Sequence, residues 1–235
     1  MKKLLLASAL VTIGLVSAAN AATTQWTQWS STYVTGSTFS TDPAAGSAFG
    51  VLGGVTVTYS GDLEGVLFEF PSWTPASTWT GGPVDSAPAT ADGIVQLFGP
   101  WYGNPVLTDT VTFSSPVTDP VIAIYSLGAP GWTASFDFDQ TPTIVAGGSS
   151  AEYSGSSLFY GPTPNIVLGA EGNGSVVFYG TYSSISWTNP NYEDWYGFTV
   201  GDIPEASTWV MLGVGFSALC YAALRRPFRG RIGPV

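Results

Sequence analysis

Short segments in which apolar and polar residues alternate recur along the middle of the chain, separated by Gly, Pro, Asn and Asp. In GVTVTYSG, Val55, Val57 and Tyr59 fall on one face and Thr56 and Thr58 on the other. TVTFSS, PVIAIYSLG, TASFDFD, SVVFYGTYSSISW and WYGFTVG behave similarly. A period of two marks half-buried strands, and strands at this spacing predict an all-β fold, an antiparallel β-sandwich. No long stretch of the body has the 3.6-residue helical period. Residues 71–105 are rich in Pro, Gly, Ser and Thr and predict long loops at one edge or end, because Pro cannot serve a central strand. Near the end of the body, Gly172-Asn173-Gly174 reads as a tight turn. Ser175 to Trp187 reads as one strand kinked at Gly180, and a final strand leads into the tail. No internal repeat is evident, which argues against propellers and solenoids.

The two ends follow other rules. Residues 1–21, MKKLLLASALVTIGLVSAANA, carry a basic start, an apolar run from Leu4 to Val16 and a small-x-small site at Ala19-Asn20-Ala21. This predicts a secretory signal peptide cut after Ala21. Residues 22–202 are the exported domain. From Ala206 to Leu224 there is no charged residue; as a helix this segment spans about 28 Å, close to the hydrocarbon core of a bilayer. Trp209 and Tyr221 fall near its two ends, as interfacial aromatics do. Arg225, Arg226, Arg229 and Arg231 follow, and under the positive-inside rule they hold the C-terminus in the cytoplasm, with the helix in the inner membrane.

Charge sharpens this division. All six basic residues lie at the termini, and all 16 acids lie between Asp42 and Glu205. A body without Lys or Arg cannot neutralise phosphates, so no nucleic-acid partner is expected. Only 9% of residues are charged while 14% are aromatic, a composition for a packed β protein and not for a disordered one. The single cysteine, Cys220, sits inside the apolar tail segment, where a small apolar residue is at ease. The exported domain therefore has no disulfide and depends on its core.

Membrane physics leaves Pro204 and Glu205 unexplained. With Ala206, the Ser207-Thr208-Trp209 step, the span through Gly213, Val214, Gly215 and Phe216, and the arginines from Arg225 on, they form a three-part C-terminus. It resembles the PEP-CTERM sorting signal of Gram-negative bacteria, with Ala206 where the name-giving motif has a second proline. The resemblance covers about 30 residues, 203–235. It implies export, transient anchoring in the inner membrane and cleavage near Pro204-Glu205 by an exosortase, which becomes the expected partner. The end of the body is also similar to that of exported PEP-CTERM proteins with jelly-roll-like domains. The role this implies is at the cell surface or in an exopolysaccharide matrix.

Chemistry is sparse. The chain has no histidine, so histidine-based triads and zinc sites are excluded, and without an internal lysine so are Schiff-base and Ser–Lys nucleophiles. No enzymatic activity is expected. Glycosidases need only two carboxylates, and Glu64 with Glu69, Asp137 with Asp139, and Glu193 with Asp194 are the pairs on offer. A glycan-binding role asks for exposed aromatics: Trp73, Trp79 and Trp101 lie in the loop-rich region and are the candidates for stacking on sugar rings, whereas Trp187 belongs to the core. No cofactor is required. Calcium needs six to eight oxygens, for which Asp137 with Asp139, and Asn189, Asn191, Glu193 and Asp194, are the available clusters.

Overall fold

The computed structural model describes residues 23–35, 45–100, 105–204 and 216–217. The chain divides into two units, Ala22–Glu205 and one joining Met1–Ala21 to Ala206–Val235; of the latter only Phe216 and Ser217 are described, in a helix with Phe216 exposed. Among the described residues no helix is long and apolar enough to cross a membrane. The signal peptide, Glu205, Ala206, Trp209, Gly213, Gly215, Cys220, Arg225, Arg226, Arg229 and Arg231 lie outside the described residues.

The larger unit is all-β. Its strands are β1 (Gln25–Trp26), β2 (Gln28–Thr35), β3 (Ala45–Leu52), β4 (Val55–Asp62), β5 (Gly65–Leu67), β6 (Ile94–Leu97), β7 (Thr108–Thr118) and β8 (Pro120–Leu127). They continue as β9 (Ala134–Phe138), β10 (Thr143–Gly147), β11 (Ser156–Ser157), β12 (Phe159–Tyr160), β13 (Ile166–Gly169), β14 (Gly172–Val177), β15 (Thr181–Thr188) and β16 (Tyr196–Asp202). The first sheet runs β10-β14-β8-β16-β6-β5, with β1 beside β16 and β11 beside β14. The second runs β12-β13-β9-β15-β7-β4-β3-β2. Apart from the short β11–β14 contact, neighbours are antiparallel. The pairing is nested: β6 meets β16, β7 meets β15, β8 meets β14, and β9 meets β13. The chain therefore goes out through β6 to β9 and returns through β13 to β16, changing sheet at each step.

Two apolar cores follow from this. One unites residues of both sheets and centres on aromatics: Tyr59 stacks on Trp187 at 6.0 Å between ring centroids, and Phe198 meets Trp187 edge-on at 5.1 Å. The other joins residues of the first sheet to the segment after β5. There Trp73, Trp79 and Val84 pack on Val121, Ala123, Tyr125 and Val177. Every residue of β8 is buried. Alternation persists, but both faces are apolar, Ile122 and Ile124 going to the first core and Val121, Ala123 and Tyr125 to the second.

Three expectations need correction. Residues 71–105 are not loops throughout: after two 3-10 turns (Ala76–Thr78 and Thr90–Asp92), Ile94–Leu97 is a fully buried strand between β5 and β16. Gly172-Asn173-Gly174 is not a turn but the start of β14, and the chain reverses one step earlier, where Glu171 is left-handed (φ 62°). Ser175 to Trp187 is two strands in opposite sheets, not one, separated at Gly180, whose φ of 125° disfavours any side chain.

Trp79 is 0% exposed and donates its indole N–H to the Ile124 carbonyl at 3.0 Å. Trp79→Ala in residues 22–204 should cost about 3–5 kcal/mol, read from the denaturant midpoint. A loss below about 1 kcal/mol would show that the second core does not support the first sheet.

Candidate functional site

Strand register collects four connections at one end of the unit. Tyr125 is paired with Gly197, Tyr196 with Leu97, and Leu127 with Gly172. The segments after β6 and β8 and those before β14 and β16 therefore leave the first sheet together. Trp101, in the first of these segments, lies outside the described residues.

Between the loop after β8 and the loop before β16 is an open hollow of about 390 Å³ lined by Ala129, Trp132, Tyr192, Glu193 and Asp194. Trp132 is 44% exposed, yet it is held firmly. Ala129 and Trp132 exchange two backbone hydrogen bonds (2.9 and 2.8 Å) around Pro130 and Gly131. Gly131 has φ 82°, so proline followed by a left-handed glycine makes a type II turn. The Trp132 indole N–H then donates to the Tyr192 carbonyl across the hollow, at 3.0 Å.

A second group of aromatics belongs to the same end. Phe70, Tyr153 and Trp195 stand 5.3–5.9 Å apart between ring centroids, and both Tyr153 and Trp195 meet Tyr125 edge-on. Tyr125 stacks on Trp79 and donates its hydroxyl to Glu152, which also accepts from the Ser72 N–H at 3.0 Å. Burial pushes the Glu152 carboxyl up, but the hydrogen bonds from Ser72 and Tyr125 outweigh it and hold the group below its ordinary value.

Electrostatically this end is acid without base. Glu193 is 5% exposed and its Oε2 has no partner. Burial first, then the charges of Asp194 and Glu171, push it up to about 7. Glu171, raised by burial and opposed by the hydrogen bond it accepts from Ser126, also feels Asp194. Deeper, Asp109 Oδ1 accepts from the Tyr59 hydroxyl (2.5 Å) and the Asp62 N–H (2.8 Å). Burial lifts Asp109 to about 7, and burial together with Asp109 and Glu64 lifts Asp62 to about 8.

The fates of the sequence candidates differ. Trp73 and Trp79, expected as exposed stacking platforms, are 2% and 0% exposed; they are core residues because the outer face of the first sheet is apolar and they cover it. Trp187 is core, as expected, and donates to Asn189 Oδ1 at 2.8 Å. Asn189 in turn donates to the Ser135 carbonyl, and Asn191 accepts from the Ser135 hydroxyl, so these loop asparagines are used by the fold. Asp137 lies on β9 with a buried, unpartnered Oδ1, while Asp139 is exposed beyond the strand. Among the described residues no three His, Cys, Asp or Glu side chains are grouped to hold a metal ion. Glu64 accepts from Gln96 and feels Asp194, whereas Glu69 is exposed in a left-handed conformation. Glu193 and Asp194 do reach a hollow, joined by Trp132 and Tyr192, which the sequence reading did not single out. The signal was present in Pro130-Gly131 immediately before Trp132. A larger hollow of about 470 Å³, around Gln25, Gln28, Gly53 and Asp92, is at the opposite end, where Trp26 is buried and its N–H is taken by the Ser86 carbonyl.

No protein-family model matches the chain, and comparison with curated proteins finds no match.

The raised acids make stability depend on pH. Unfolded Asp and Glu titrate near 3.9 and 4.3, whereas folded Asp62, Asp109 and Glu193 hold their protons to about 7 or 8. Their contribution is fully present below about pH 4 and is lost as pH rises toward 8, by up to about 1.4 kcal/mol per pH unit per group. Denaturation of residues 22–204 should show lower stability at pH 8 than at pH 5, with a shallower slope in Asp62→Asn. Stability rising over that window would refute the assignment.

Proposed function

We propose that this is an exported protein of the cell surface or its exopolysaccharide matrix, delivered by an exosortase-processed tail, and that its body is a non-catalytic interaction module. What carries the reading is the presentation of aromatic side chains at one loop end of a body that holds acids and no base. Trp132 and Tyr153 are 44% and 42% exposed there, beside half-buried Phe70, Tyr192 and Trp195. Aromatic surface of this kind joins an apolar face to a polar edge and suits recognition. An acid-only body repels nucleic acids and other polyanions, which narrows the partners to neutral or cationic ones. We read the body as a jelly roll; the nested pairing of β6 to β9 with β13 to β16 supports this. Half-buried Pro204 lies two residues past the end of β16, which fits a processing site just beyond the folded unit.

The hollow at Trp132 supports a second, narrower reading, a lectin-like module. It shares the surface with the first and differs in ligand.

Sorting and binding are tested separately. In a host with an exosortase the mature surface form should lack Cys220 and the arginines by mass spectrometry, and Pro204→Ala with Glu205→Ala should keep the tail and stay in the membrane fraction. A mature form that retains its arginines would remove the sorting reading. The chain should also co-sediment with insoluble polymer from the cell surface of that host; failure to do so would remove the interaction module.

A further inference from the structure

We propose that the hollow lined by Trp132, Tyr192, Glu193 and Asp194 binds a pyranose ring of a neutral polysaccharide, an inference that rests on the interaction-module reading and gives it a site and a ligand class.

Trp132 supplies the surface on which a ring would stack. An exposed tryptophan normally loses rotamer freedom when a ligand orders it, and that loss weakens binding. Here the freedom is already gone: the type II turn over Pro130 and Gly131 fixes the backbone, and the bond from the indole N–H to the Tyr192 carbonyl fixes the ring. Because that N–H is used, what Trp132 still offers a ligand is ring surface. A flat apolar surface with no donor to satisfy suits the C–H face of a sugar ring. It does not suit a ligand that needs a hydrogen bond from the indole.

The rest of the lining supplies the complement. Asp194 is exposed at the rim and is the carboxylate that faces the hollow, while Glu193 lines its floor and is otherwise buried. Carboxylates accept hydrogen bonds, and vicinal hydroxyls of a pyranose are paired donors. A hollow of about 390 Å³ is within the range of small-ligand sites and has room for a ring or two, not for a folded partner. Charge excludes the nearest competitors: Asp194 is exposed at the hollow and the body carries no Lys or Arg, so a uronate or sulfated sugar meets an acid and no base. A cationic amino sugar is the alternative that charge permits, and the test separates it.

Full-length protein in a detergent without sugar groups is titrated with cellohexaose, laminarihexaose, mannohexaose, hexagalacturonate and a glucosamine hexamer, with calorimetry and tryptophan fluorescence as readouts. At least one neutral oligomer should bind and hexagalacturonate should not. Trp132→Ala should weaken the neutral oligomer about tenfold or more, Trp132→Phe, which keeps a ring but loses the bond to the Tyr192 carbonyl, should weaken it less, and neither change should unfold the protein, because the turn is set by Pro130 and Gly131. Binding of the glucosamine hexamer alone would overturn the ligand class. Neutral-oligomer binding that is indifferent to Trp132→Ala would overturn the site. Failure of every neutral oligomer, while the wild-type chain still co-sediments with surface polymer, would overturn this inference and leave the interaction module standing; loss of co-sedimentation as well would remove both.

Discussion

The first sheet is apolar on both faces, and most of the structure answers to that. A sandwich needs only one buried face per sheet, with the other left to water. In β8, however, Val121, Ala123 and Tyr125 point away from the shared core and would leave a large apolar patch exposed. The chain covers it with the segment after β5. Trp73 and Trp79 meet edge-on at 5.2 Å, Trp79 stacks on Tyr125, and its indole N–H is satisfied by the Ile124 carbonyl. Burying aromatics of this size contributes several kcal/mol toward the ordering of the segment that carries them. Without disulfides in the body, this second core takes the place of a covalent staple.

The same cover reaches the end that carries the candidate site. Tyr125 is packed by Trp79 on one side and gives its hydroxyl to Glu152, while Tyr153 and Trp195 rest edge-on against its ring. Aromatics that stay at the surface are thus supported by aromatics that do not. The acids show the matching constraint on charge. With no Lys or Arg among residues 4–224, a buried carboxylate has no counter-ion to recruit, so burial keeps Asp62, Asp109 and Glu193 protonated toward neutral pH. The cost is a fold that loosens as pH rises. The gain is a surface potential of one sign.

Of the sixteen described strands, β4, β7, β8, β9 and β14 to β16 were legible from the alternation of apolar and polar residues, whereas β1 to β3, β5, β6 and β10 to β13 escaped it. The burial of Trp187 was legible too. The loop tryptophans were not, for a reason visible in PVIAIY: an unbroken apolar run signals a strand buried on both faces, and a face so buried requires a cover from elsewhere in the chain. Composition marked residues 71–105 as loop, which missed the strand Ile94–Leu97, and carried no information about what the rest lies on. Gly172-Asn173-Gly174 has the residues of a tight turn, yet Asn173 is fully buried. Its side-chain oxygen accepts from the Ser126 N–H, and its amide donates to the carbonyls of Gly148, Ser154 and Glu171. Tertiary hydrogen bonds overrode local turn chemistry there.

The candidate site is illegible as a motif because of the topology. In a nested arrangement each strand of the outgoing half pairs with one of the returning half, so the loops that share an end come from distant parts of the sequence. Trp132 follows β8 and Tyr192 precedes β16, about 60 residues apart, and only the pairing of β8 with β16 brings them together. A spacing rule has nothing to find in such a site. What can be read locally is the turn, since Pro130-Gly131 sets the backbone that carries Trp132, an exposed indole among the described residues. A fixed aromatic on a loop end is of no use to the core, which is already closed by Trp79 and Trp187. Trp132 thus stands outside both cores, on a turn whose backbone is set by its own two central residues.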